Sequence, residues 1–273
     1  MSDITLSIIT PSFNQSDFIE KNIDSVFSQS DSDIEHIIVD GGSEDGTVEK
    51  LRKFESKYNL RWISESDRGQ THALNKGLNM ANGEWIGWQN SDDYYLPGAF
   101  ENFRMALRKN PQADAIYGDL VIVDESETLV TRKFMTRPSK FIQRYWSLFA
   151  SNQALFVRKT VFDEISPLNE DLTYTMDAEL TWELLSNNYK LVRVPEELGA
   201  FRIQPDAKTY SGVENLQRKE LQTIYGSPWY EQFFPQFLLQ NCAKITKFCY
   251  LMSDLNIEAL SYNIQNKYSN IME

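Results

Sequence analysis

Four polar clusters, each directly behind an apolar β-rich run, carry the chemistry this sequence offers. They are Thr10-Pro11-Ser12-Phe13-Asn14, Asp40-Gly41-Gly42-Ser43-Glu44-Asp45-Gly46-Thr47, Ser64-Glu65-Ser66-Asp67-Arg68-Gly69-Gln70 and Gln89-Asn90-Ser91-Asp92-Asp93. Adjacent Asp92 and Asp93 supply hard oxygen ligands, which suit Mg²⁺ or Mn²⁺ bridging to phosphate oxygens. A cation there would neutralise charge building on a nucleoside-diphosphate leaving group. Gly41 and Gly42 allow a ligand close to the backbone. Taken alone, each cluster is ordinary turn chemistry. Their joint placement is what points to a site.

That placement follows from the elements behind them. Residues 5–9, 35–39, 60–64, 84–88 and 115–123 read as strands. Between them lie helical patterns: 17–28 (with Asp17-x-x-Glu20 resembling a capping box), the Val48/Leu51/Phe54/Tyr58 face, the Ala73/Leu74/Gly77/Leu78/Ala81 face, and 97–109. Repeated β-α-β units imply an α/β fold with a mostly parallel central sheet flanked by helices. The four clusters then emerge at one sheet edge, where such folds bind ligands. Beyond residue 125 the alternation loosens. A loop and short helix are expected over 132–146, a strand over 152–158, a helix over 176–187, and short strands over 191–195 and 198–203. From about Gly226 the pattern becomes a helical appendage. Leu238, Cys242, Ile245, Cys249 and Met252 form a seam along it. Packing on the main domain is its expected role; a membrane surface or a second subunit are the alternatives. The expected division is a catalytic domain over 1–225, with a donor half to about 125 and an acceptor half over 126–225, and a C-terminal helical extension over 226–273.

Composition narrows the partners. The 273 residues include 27 basic and 39 acidic ones, a net charge of −12. Nucleic-acid binders are usually basic, so no nucleic-acid partner is expected. No apolar run reaches the ~18 residues of a spanning helix, and Met1-Ser2-Asp3 does not open a signal peptide. On one helix, Cys242 and Cys249 would stand ~10.5 Å apart along the axis, beyond the ~7 Å Cα limit of a disulfide. A reducing, cytoplasmic setting is expected, with peripheral contact at the inner membrane face as a variant. Neither Gly-x-Gly-x-x-Gly nor Gly-x-x-x-x-Gly-Lys-Ser/Thr occurs, so a hydride carrier and a P-loop hydrolase are not supported.

The clusters together resemble the family 2 glycosyltransferases of GT-A fold over roughly residues 4–212. The resemblance rests on Pro11-x-x-Asn14, Asp40-Gly-Gly-Ser-x-Asp45-Gly-Thr47, Glu65-x-Asp67-x-Gly69-Gln70, Asn75-Lys76-Gly77, Ala81-x-Gly83 and Asn90-Ser-Asp92-Asp93. It implies a nucleoside held by Pro11, Asn14, Asp40 and Asp67, and Lys76 near the base or diphosphate. Asn90 and Ser91 would lie on the donor side, and Asp92 would be the metal carboxylate of the Asp-x-Asp motif. Tyr174 to Leu180 resembles the family's Glu-Asp segment, with Met176 replacing the Glu. Asp177 is then the candidate general base of an inverting transfer, with Glu179 as fallback. Asn152-Gln153 resembles a segment near the acceptor, making Gln153 a candidate contact, and Trp182 is a candidate for stacking on a sugar. His72 is expected to pack rather than ligate. Uridine is the commonest base among relatives, so a UDP-sugar is the expected donor and a glycan or lipid-linked sugar the expected acceptor.

Two positions depart from the pattern. Asn90 replaces the first Asp of Asp-x-Asp and lacks its charge. Gln204, in Arg202-Ile203-Gln204-Pro205, stands where many relatives carry a metal-binding His. The Gln-x-x-Arg-Trp motif of processive synthases is absent, which favours single-sugar transfer. The competing readings are a sugar-phosphate nucleotidyltransferase, disfavoured because Thr10–Asn14 lacks a Gly-rich basic loop, and a non-catalytic nucleotide-sugar-binding module.

Overall fold

A computed structural model describes residues 5–165, 167–204 and 213–253, apart from the Trp229 side chain. The first half alternates as β1 (Leu6–Ser12), α1 (Ile19–Phe27), β2 (Ile34–Asp40), α2 (Thr47–Phe54), β3 (Leu60–Ser64), α3 (Gln70–Met80) and β4 (Trp85–Trp88). There follow β5 (Tyr94–Tyr95), α4 (Ala99–Lys109), β6 (Ala115–Val123), β7 (Leu129–Lys133), α5 (Lys140–Tyr145) and a 3₁₀ turn (Asn152–Ala154). The chain continues through β8 (Leu155–Arg158), α6 (Lys159–Ile165), α7 (Met176–Ser186), β9 (Leu191–Arg202), α8 (Glu214–Tyr225) and α9 (Gln236–Ser253).

These strands form one nine-stranded sheet in the order β3-β2-β1-β4-β8-β6-β9-β5, with β7 paired to β6. β1 and β2 are buried at every position, as strands covered on both faces must be. Strands β1 to β4 pair in parallel, with Ser12 opposite Asp40, Asp40 opposite Ser64, and Ile9 opposite Trp88. β8 runs against both β4 and β6. β6 therefore regains the direction of β4, and β9 runs parallel to β6. The C-terminal ends of β1, β2, β3, β4, β6 and β9 share one edge with the N-terminal ends of the reversed β8 and β5. This is the helix-flanked, mainly parallel sheet expected from the sequence, and its directions explain which loops meet.

Buried Ile19, Ile23, Ile38, Leu51, Phe54 and Leu60 pack α1 and α2 onto one face. A second core spans α3, α4, β8 and α7. In it Tyr95 stacks on Phe156 at 5.6 Å, and Trp85 meets Phe103 edge-on at 5.3 Å.

Several local expectations are corrected. The Asp17/Glu20 capping box does not form. Helix α1 begins at Ile19, and the Gln15 carbonyl takes the N–H groups of Phe18 and Ile19 at 3.1 and 2.9 Å. The two short strands over 191–203 are one strand, β9. Its register against β6 shifts on either side of Asp119, which accommodates exposed Pro195, a residue with no N–H for the ladder. The stretch over 152–158 begins as a 3₁₀ turn before it extends. Strands β5 and β7 and helices α6 and α8 were not anticipated. β7 carries exposed positions on an edge, and α8 buries no residue, so neither has a periodic apolar signal. The 238–252 seam is helical but faces away from the domain. Leu239, Ala243 and Leu251 are buried instead, and Leu239 and Ala243 pack against Tyr145 of α5. Pro205 lies outside the described residues.

Candidate active site

The loops after β1 and β2 are laced to each other. Asn14, in the left-handed region at φ 52°, donates its N–H to Ser43 Oγ at 2.7 Å. Its Oδ1 accepts the Glu44 N–H at 3.1 Å. Asp40 is fully buried. Its carboxylate accepts the N–H groups of Gly42 and Ser43 at 3.1 and 2.8 Å, and the Ser43 and Ser64 hydroxyls at 2.5 and 2.6 Å. Asp40 thus ties β2 to β3 from within. Gly41 leaves room for Asp67, since a Cβ there would stand 2.9 Å from Asp67 Oδ2. Asp67 Oδ1 accepts the Gly69 N–H at 2.8 Å.

The turn after β4 is held from below by Asn22, buried on α1. Its Nδ2 donates to the carbonyls of Asn90 and Asp93 at 2.8 and 3.0 Å. Behind it, Thr10 bonds His36 Nε2 at 2.9 Å, and Tyr58 meets His36 Nδ1 at 2.7 Å. Burial pushes the His36 pKa down to about 3, so this ring stays neutral. Asn90 Oδ1 accepts from Gln70 Nε2 at 2.7 Å and Trp88 Nε1 at 2.9 Å, fixing the amide.

The two adjacent aspartates separate in role. Asp93 is buried and accepts from Gln153 Nε2 at 2.7 Å, Asn90 Nδ2 at 3.1 Å and the Arg202 N–H at 2.9 Å. Burial, then the Asp92 charge, raises its pKa well above the usual carboxylate range. Asp93 therefore fastens β4, the 3₁₀ turn and β9 together. Asp92 points into the cleft, where its Oδ2 accepts from Gln204 Nε2 at 2.7 Å. The 3₁₀ turn can approach β9 because of Gly199: a Cβ there would lie 1.9 Å from the Gln153 carbonyl oxygen.

Across the cleft, Asp177 sits in the first turn of α7 and is half-buried. Its Oδ1 accepts the Ala178 N–H at 2.8 Å. Burial raises its pKa, opposed by that bond and by the Lys133 charge. Lys133 is itself driven toward its neutral form by burial, opposed by Asp177.

Part of this constellation lines one cleft of about 410 Å³. Of the anticipated residues, Pro11, Asp67, Asn90, Ser91, Asp92, Gln153 and Asp177 form its wall. Asn14, Asp40, Lys76, Glu179 and Trp182 do not. Lys76 pairs with Glu65 at 2.7 Å. Glu179 accepts the Asn169 N–H at 3.3 Å. The Trp182 ring meets Tyr225 at 4.6 Å. His72 takes the Arg68 N–H on Nδ1 at 3.2 Å. Sequence reading missed Asn22 and Lys133. Asn22 carried a signal, being a polar residue on the Ile19/Ile23/Val26 face; Lys133 carried none. Among the described residues, buried Ser12 Oγ, Gln15 Oε1 and Asn152 Nδ2 on the cleft wall have no hydrogen-bond partner, so the cleft wall carries polar groups suited to a polar ligand.

Among the described residues no three His, Cys, Asp or Glu side chains converge as a ready-made metal cage. The donor set fits a different arrangement. Mg²⁺ and similar hard ions are commonly held by one or two carboxylates together with substrate phosphates and water. Asp92, with the Gln204 amide beside it, fits that pattern.

Comparison with known proteins places the chain among glycosyltransferases. The chain is 27% identical over 187 residues to a PGL/p-HBAD biosynthesis glycosyltransferase of Mycobacterium bovis, covering 66% of this chain and 70% of that one. It is 25% identical over 238 residues to the uncharacterized glycosyltransferase EpsJ of Bacillus subtilis, covering 81% and 67%. Among solved structures, S. aureus TarS 1-349 in complex with UDP-GlcNAc superposes with a TM-score of 0.67 at 19% identity, over 81% of this chain and 65% of that one. The mannosyltransferase PcManGT of Pyrobaculum calidifontis, in complex with GDP-Man and Mn²⁺, gives 0.61 at 17% identity over 88% and 68%. Of another TarS structure the chain spans 37%. These structures share the fold. Residues 7–166 match the family described as Glycosyl transferase family 2, more than half of the chain, and the protein belongs to that family and is a glycosyltransferase.

Proposed function

We propose that the chain transfers one sugar from a nucleoside-diphosphate sugar, UDP-linked, to a glycan or lipid-linked sugar, with inversion at the anomeric carbon. The observation that carries this is the shared cleft: Asp92 and Asp177 reach it from opposite halves of the chain, and Asp67 and Asn90 line it with them. We assign residues 1–225 as the catalytic domain and 226–273 as its extension.

In this reading Pro11 and Asp67 border the nucleoside, while Asn14 and Asp40 shape the loops behind it. Lys76 and Ser91 act at the edge of the donor site. Asp92 would hold Mn²⁺ or Mg²⁺, which when bound would supply positive charge to the diphosphate leaving group. The acceptor hydroxyl attacks the anomeric carbon in line. The bond from that carbon to the diphosphate oxygen breaks, and the hydroxyl proton passes to Asp177. Burial raises the Asp177 pKa, which favours a carboxylate able to take that proton, and the Lys133 charge opposes the shift. Gln153 acts on the acceptor side; Glu179 and Trp182, which stand outside the cleft wall, are weaker acceptor-side candidates. Donor complexes of TarS with UDP-GlcNAc and of PcManGT with GDP-Man and Mn²⁺ support a nucleotide-sugar donor and a divalent ion.

The test is a thermal-shift screen of UDP and GDP with and without Mn²⁺. A ligand binding the native state at 100 times its Kd stabilises it by about 2.7 kcal/mol. UDP with Mn²⁺ is expected to give the largest shift, and Asp92→Ala to remove its metal-dependent part. A larger shift with GDP would reassign the base, and no shift with either would defeat the donor reading.

A further inference from the structure

We propose that α9 and the segment leading into it dock on an anionic lipid surface. The predicted apolar seam on α9 does not face the protein. Phe237 is 59% exposed, Ile245 62% and Phe248 48%, and Phe233, Phe234 and Met252 are exposed beside them. The opposite side of the same helix buries Leu239, Ala243 and Leu251. An apolar face this large and this aromatic calls for a partner. No described helix is long and apolar enough to cross a membrane, so the contact is one of lying on a bilayer.

Charge selects the partner. Helices α5 and α9 carry no acidic residue; Arg144 is paired with Glu231 and Lys247 is part-buried against Ser147, which leaves Lys140 and Lys244 as exposed cations on a chain of 39 acidic and 27 basic residues. The neighbouring Glu231 is already held by Arg144 at 2.9 Å and by the Tyr145 hydroxyl at 2.7 Å. Exposed Lys244 sits 4.2 Å above the exposed Trp146 ring. An ammonium beside an indole, flanked by phenylalanines, matches the headgroup level of a bilayer. A second copy meeting this face symmetrically would set basic helix against basic helix.

The location gives the contact a use. Gln143 of α5 donates to the Ala178 carbonyl at 3.1 Å and to Thr181 Oγ1 at 2.9 Å, both on the helix of Asp177. Helix α5 thus stands between α9 and the proposed base. A lipid surface on α9 would keep a lipid-linked acceptor one helix away from it; this use rests on the acceptor reading above, whereas the docking does not.

Sedimentation of the full chain with vesicles decides it. Phosphatidylcholine vesicles containing phosphatidylglycerol are expected to carry the protein down, and phosphatidylcholine alone far less. Ile245→Ser with Phe248→Ser should weaken partitioning by about tenfold, and Lys244→Glu by about tenfold on the anionic vesicles alone. The shift with UDP and Mn²⁺ should be unchanged in both. Failure of the wild type to bind anionic vesicles, or wild-type binding by the variants, overturns the proposal. So does light scattering that finds a dimer returned to monomer by the double substitution, which would assign the face to a second copy. Loss of the UDP shift with vesicle binding intact would defeat the donor reading and leave this one standing.

Discussion

Gln204 presents its amide nitrogen, not its oxygen, to Asp92, with Nε2 2.7 Å from Oδ2. A cation on Asp92 would repel that NH₂ group, so binding requires the amide to turn and offer Oε1. Gln204→His places a neutral imidazole nitrogen at the same point. The variant is expected to lower the Mn²⁺ concentration for half-maximal activity by about tenfold, the scale on which groups around a metal act. A manganese titration with an unchanged midpoint would remove Gln204 from the cation's surroundings.

Asp177→Asn should cut transfer by ~10²–10⁴ while leaving the UDP shift intact. The same variant makes a stability prediction. Burial raises the Asp177 pKa in the folded state, so its contribution to stability is full below the unfolded pKa and is lost as pH rises through the raised one. The Asn variant should therefore melt above wild type at neutral pH, with the gap closing toward acid. Equal melting temperatures across that range would contradict the buried charge.

Lys133 supplies the positive charge that opposes burial at Asp177. Lys133→Met should raise the Asp177 pKa further and move the acid limb of the kcat profile to higher pH, with KM for donor little changed. An acid limb at the wild-type position would show that Lys133 does not act on the base.

Gly199→Ala puts a methyl group 1.9 Å from the Gln153 carbonyl oxygen. The 3₁₀ turn must retreat, straining the Gln153–Asp93 bond. A loss of about 1–3 kcal/mol is expected, as for overpacked sites, together with a larger loss of activity than of stability. Chemical denaturation and a transfer assay on the same preparation separate the two.

The donor half was legible because each strand and its following loop announced themselves locally. Leu60–Ser64 and Ala115–Val123 were read to their exact ends. The parallel registers then brought Pro11, Asp67 and Asp92 together. What the sequence hid was long-range. Nothing in Asp92-Asp93 says that one carboxylate faces the cleft and the other is buried beneath it; that depends on Gln153 and Arg202 arriving from 60 and 109 residues away. Asp40 reads as a ligand contact, yet its oxygens are taken up by Ser43 and Ser64. The α9 seam has the spacing of a packing face, and only the burial of Ala243 and Leu251 shows the opposite side inside.

Asn22 grips the carbonyls of Asn90 and Asp93 from inside the core, and this bears on binding kinetics. The backbone under Asp92 is set when the domain folds, before any nucleotide arrives. Little ordering entropy then opposes the encounter at this turn. The segment from Asn90 to Asp93 is thus a preformed anvil for whatever enters the cleft.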